Sequence, residues 1–149
     1  MRVVLTLLFL LPAMIADAQN FTNKGREFWV GYGHNHLFDP KYGTPEMQLY
    51  LSAEQASTVT VRITGTSWTR TYTIPAGTVI VSDLIPRTGP DDCRLTGEGL
   101  FSKAVHIESD VDIVAYAHVT GERSSGATML LPVNNYGYTY YSLNTEESY

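Results

Sequence analysis

Gly33-His34-Asn35-His36 sets two imidazoles at i and i+2, a spacing that zinc sites use. Such a site needs a third ligand, and Asp39, His106 and His118 are scattered rather than placed at a diagnostic interval. His-Asn-His also occurs in nucleases, but the ββα-metal pattern that gives it meaning there is not present around it. Asp91-Asp92 could join a glutamate as a glycoside-cleaving pair, provided that the fold brought two carboxyls to working separation. Asp110-Val111-Asp112 opens like a calcium loop, yet the glycine and the distal bidentate glutamate are missing. No serine lies in Gly-x-Ser-x-Gly, and Cys93 has no histidine close to it in sequence. Gly97-Glu98-Gly99 precedes no helical pattern and reads as a bend rather than a phosphate cradle. The sequence therefore assigns no catalytic, cofactor-binding or metal-binding residue.

Aromatic residues are the remaining candidates. Trp29, Trp68 and ten tyrosines could stack on sugar rings or anchor a protein partner if they were exposed on a sheet. Trp29 and Tyr32 are expected to fill the core beneath the first strand. Trp68, beside a hairpin turn, stays open between core and platform. His106 and His118 fall on the polar side of their strands and read as surface or cross-strand residues. Asn20-Phe21-Thr22 fits an N-glycosylation acceptor, which matters only in a eukaryotic secretory pathway.

The elements that must position these residues are strands. Abundant threonine and valine, 12 glycines and no sustained helical period point to an all-β domain. Expected strands are 28–32, 47–51, 58–64, 68–74, 78–84, 103–109, 111–119, 127–131 and 138–143, with a tight turn at Asp110. Residues 58–64 alternate strictly, so Val59, Val61 and Ile63 face inward. Arg70 interrupts the apolar side of 68–74, which places that strand at an edge or its stem against aromatics. Pro75-Ala76-Gly77 is a turn. Residues 85–100 form a long irregular stretch, of a length usually reserved for function. About nine short strands predict an antiparallel β-sandwich.

Charge and the N-terminus narrow the setting. Arg2, an apolar run to Leu11 and Ala16-Asp17-Ala18 form a signal peptide over residues 1–18, cleaved before Gln19. The run is too short to span a bilayer, and nothing later is longer. A net charge of −5 offers no footprint for nucleic acid or anionic lipid. With one cysteine no internal disulfide can form, so apolar burial holds the fold and Cys93 is expected to be inert.

Four segments, in order, resemble a known family. Lys24–Gly31 (KGREFWVG) is similar to the opening of the IgGFc-binding protein N-terminal domain. Ser57–Thr64 followed by Thr73–Thr78 (TIPAGT) resembles its strand-and-turn block. Lys103–Ile113 and Leu130-Leu131-Pro132-Val133, ahead of Gly137 and Tyr140-Tyr141, resemble two further elements. The resemblance implies that 19–149 is a domain of a large secreted or surface protein, ending before the family's domain does. It implies no catalytic residues and no cofactor. The expectation is a non-enzymatic extracellular domain whose partner is a protein or glycan. A carbohydrate-binding module built on Trp68 and a secreted hydrolase built on Asp91-Asp92 are the alternatives.

Overall fold

The structure, a computed structural model, describes residues 22–33, 45–122 and 125–141. Residues 1–18, read from sequence as a signal peptide, the His34 and His36 pair, Asp39-Pro40, Tyr42-Gly43, Asn20 and residues 142–149 lie outside the described residues.

Alternating apolar residues become strands as expected. They are β1 (Gly25–Val30), β2 (Glu46–Ala53), β3 (Ser57–Ile63), β4 (Thr69–Ile74), β5 (Thr78–Val81), β6 (Val105–Thr120) and β7 (Ser125–Met129). Every pairing between these strands is antiparallel, and all seven belong to one sheet. Among the described residues the regular elements besides strands are two short 3-10 turns, Gly89–Asp91 and Val133–Asn135. No helix among them is long and apolar enough to cross a membrane.

The organising element is β6, which runs unbroken for 16 residues. Two strands were expected here, separated by a tight turn at Asp110; the chain instead bends and continues. β2 and β3 lie end to end along one edge of β6, with Leu49 opposite Ala117 and Val61 opposite Ile107. β1 and β7 share the other edge, with Phe28 opposite Ile107 and Thr128 opposite Ala117. β4 covers β3 and β5 covers β2. The half formed by β4, β3, β1 and the start of β6 thus folds over against the half formed by β5, β2, β7 and its end.

Each ribbon bends at the same level. The β2–β3 break is Glu54–Ala56, and the β4–β5 break is Pro75–Gly77. Gly77 has φ +69° there, and its amide donates to Ala53 O at 2.9 Å. β1 carries a register shift between Gly25 and Glu27. At Asp110 the side chain replaces the ladder: its Oδ1 accepts from the Thr58 amide at 2.9 Å and from Ser57 Oγ at 3.0 Å. A bend that left a strand amide unsatisfied would be costly, and this carboxylate removes that cost. The corner also brings the two free edges together, where Arg70 and the Tyr72 hydroxyl reach Asp83.

The concave side holds the core. Met47, Leu49 and Leu51 of β2, Val59, Val61 and Ile63 of β3, and Val105, Ile107, Ile113 and Ala115 of β6 are essentially inaccessible. Because 105, 107, 113 and 115 share parity, β6 keeps one face inward through its bend. Edge strand β4 contributes Ile74 alone as a fully buried residue. As its sequence implied, Arg70 sits at the edge, with its guanidinium 5.2 Å from the Trp68 ring.

The irregular stretch is ordered by its own plugs. Ile85 and Cys93 are fully buried, the Ile85 amide donates to Met47 O at 2.8 Å, and the Leu95 amide donates to Tyr32 O at 2.9 Å. Burial pushes the Cys93 thiol up to about 12, which removes the thiolate needed for reaction. Residues 138–141 were expected to begin a strand and do not. With 103–109 and 111–119 merged as well, the described residues hold seven strands in one curled sheet rather than nine in two.

The corner generates a pH prediction. Hydrogen bonds from the Thr58 amide and then Ser57 hold the Asp110 carboxyl below its ordinary 3.8. A depressed folded-state value contributes stability above the unfolded value, lost as pH falls through the folded one. Urea midpoints of Asp110→Asn should lie below wild type at neutral pH and converge on it below pH ~3. Cys93 should resist a thiol reagent at pH ~8 in the folded protein and react stoichiometrically in denaturant; native labelling at the denatured rate would contradict its burial.

Candidate functional site

The outer face of the first half-sheet carries a cluster assembled by register. β1 and β6 set Trp29 opposite His106 and Glu27 opposite Glu108. β3 sets Arg62 on the far side of His106. Paired residues of antiparallel strands share a face, so these five side chains form one outward patch.

Their contacts are specific. The Trp29 indole lies on the His106 imidazole with centroids 3.9 Å apart and planes at 27°. Glu27 Oε1 accepts from Trp29 Nε1 at 3.1 Å and pairs with His106 Nε2 at 2.9 Å. Since a carboxylate only accepts, Nε2 carries the proton in that contact. His106 Nδ1 lies 3.5 Å from Glu108 Oε2 without a hydrogen bond, while Arg62 binds that same oxygen. The bond from His106, then that from Trp29, hold the Glu27 carboxyl below its ordinary range.

Two expectations are corrected here. Trp29 is not core: it stays 37% exposed on the convex side, because Phe28 takes the inward position and alternation sends its neighbour out. His106, placed by sequence on the surface, is only 2% exposed, because the indole roofs it. Its cross-strand role stands. Tyr32 is buried as expected, with its hydroxyl donating to Gln48 O at 3.2 Å. His118 is half-buried beside Tyr50, with ring centroids 4.9 Å apart.

Trp68 is settled as a buried side chain, 8% exposed, so its ring is not an open platform. Asp92 is taken up by Arg94, whose Nε and Nη2 donate to its two oxygens at 3.0 and 2.9 Å. The guanidinium holds the Asp92 carboxyl low. That pair closes the loop around Cys93. Asp112 pairs with Arg26 at 3.0 Å rather than joining Asp110 around an ion. Among the described residues no group of three or more His, Cys, Asp or Glu side chains is arranged to hold a metal.

Further aromatics border the patch. Tyr136 is 43% exposed and lies near Trp29 and Glu27. Tyr140 follows, exposed, with its hydroxyl accepting from the Gly137 amide at 2.8 Å. On the other side of Glu27 an open groove of about 590 Å³ runs past Lys24, Arg26 and Asp112. Sequence reasoning missed this grouping because it depends on register between segments far apart in the chain. The alternation of Phe28 and Trp29 was the available signal.

No protein-family model matches the chain, and no curated protein matches it significantly. A solved structure described as Thermotoga maritima 1070 is similar over 76% of this chain and 98% of that one. Its identity is 12% and its TM-score 0.41, too slight a likeness to carry an argument.

Removing the imidazole should expose the stack's role. In a Trp68→Phe background, which isolates Trp29 emission, His106→Ala should shift that emission to the red. It should also lower stability by about 1–3 kcal/mol, through lost stacking and the cavity left beneath the indole. Unchanged emission would show that the stack is not maintained in solution.

Proposed function

We propose that this chain is a non-enzymatic extracellular domain of a secreted or cell-surface protein, acting in adhesion or matrix contact. The observation that carries the reading is the solvent-facing aromatic surface in which Trp29 stands on strand β1 and exposed Tyr136 and Tyr140 follow from the irregular segment after Val133–Asn135. Large aromatic side chains left outside a well-filled core favour recognition of a partner over packing. The resemblance to the IgGFc-binding protein N-terminal domain supports the same setting, as does the export signal read over residues 1–18. In this reading the two halves of the sheet serve as the layers of a sandwich that share β6.

A carbohydrate-binding role keeps its support, moved from Trp68 to Trp29. The hydrolase alternative is less favoured, because Asp92 is committed to Arg94 and its loop.

Export and interaction have separate tests. Mass spectrometry of chain recovered from the medium or cell surface should give Gln19 as the N-terminus. Recovery from the cytosol with residues 1–18 attached would refute the location. Labelled chain should bind extracellular surface material saturably, and Trp29→Ala should weaken that binding by about tenfold. Equal binding by the variant would remove this surface from the function.

A further inference from the structure

We propose that the outer face of the first half-sheet is a saccharide site, with the Trp29 indole as platform and Glu27, Glu108 and Arg62 as its hydroxyl-reading rim. This rests on the reading of the chain as a non-enzymatic interaction domain and names the ligand class of that surface.

The platform is pre-set. One face of the indole covers His106, its N–H is held by Glu27, and more than a third of the side chain remains exposed. A ring fixed before binding loses little freedom on binding. A pyranose presents an apolar C–H face of the same breadth as an indole and a rim of hydroxyls, so it matches a flat ring bordered by polar groups.

The rim supplies both halves of hydroxyl recognition. The internal contacts use Oε1 of Glu27 and Oε2 of Glu108, so each carboxylate has a second oxygen to accept from a sugar O–H. Arg62 engages Glu108 through Nη1 and has further N–H groups to donate. The side chains of Glu27, Glu108 and Arg62 are 46%, 48% and 44% exposed, within reach of a ligand on the indole. Arg62 offsets Glu108, and the Glu27 carboxylate leaves the patch one negative charge in excess, which disfavours an anionic saccharide and suits a neutral glycan. The groove past Lys24, Arg26 and Asp112 begins at Glu27, giving room for a further sugar unit. The site is therefore expected to prefer oligomers to monosaccharides.

The test titrates the purified chain with cellohexaose, chitohexaose, xylohexaose, laminarihexaose and mannohexaose, following tryptophan emission and heat. At least one should bind, weakened about tenfold by Trp29→Ala and several-fold by Glu27→Gln or Arg62→Ala. Trp68→Phe should bind as wild type. Circular dichroism and protection of Cys93 identify variants that have lost the fold, and Glu27→Gln keeps the test decisive if Trp29→Ala is one of them. No binding by any hexasaccharide, or binding that survives Trp29→Ala and Glu27→Gln, overturns the proposal. If the hexasaccharides fail while Trp29-dependent binding to a purified extracellular protein remains, the sugar assignment falls and the interaction domain stands. If both are absent, both fall.

Discussion

Everything in this fold depends on bending one long strand without leaving the amides of its neighbours unsatisfied. β6 pairs with β3 and β1 before the bend and with β2 and β7 after it. A straight strand of that length would hold a flat sheet with one side open to water. The Asp110 carboxylate takes over the Thr58 amide where the ladder breaks, and Gly77 turns the chain between β4 and β5 at φ +69°. These two local devices let one sheet enclose its own core. The inward parity of β6 survives the bend, so both halves contribute to a single apolar interior.

Once the concave side is filled, alternation leaves a convex side with its own chemistry. Phe28 faces in and Trp29 faces out, and the register to His106 follows from the same ladder that buries Ile107. The candidate site is thus a by-product of the core's spacing. Shifting β1 by one residue would bury the indole and dismantle the cluster together. The 3-10 turn at Val133–Asn135 adds to this, since Pro132 packs where a Cβ on Gly25 would stand, 2.3 Å away. That close approach seats the turn against β1, and Tyr136 follows directly after it.

Much of this was legible in the residues. The strict alternation of 58–64, the Pro75–Gly77 turn and the edge character marked by Arg70 all follow from local chemistry. The long stretch over 85–100 was legible as irregular, though not as a plug that inserts Ile85 and Cys93. Two errors share one cause. Asp110-Val111-Asp112 carries the composition of a turn, and only the distant Thr58 amide converts it into a corner. His106 has the spacing of a surface residue, and only the distant Trp29 covers it. Period-two patterns say which residues share a face; they do not say what another strand lays on top.

The late position of β6 governs how the chain gains structure as it emerges from the ribosome. Among the described residues β1 pairs with β6 alone, and before residue 105 is made, β2 and β3 have only β5 and β4. Two short ribbons of this kind are marginal alone. Among the described strands there is therefore no self-sufficient nucleus until β6 appears, and folding is dominated by long-range pairing with that one segment. Synthesis of β6 is the commitment step, and a chain paused before it remains threadable.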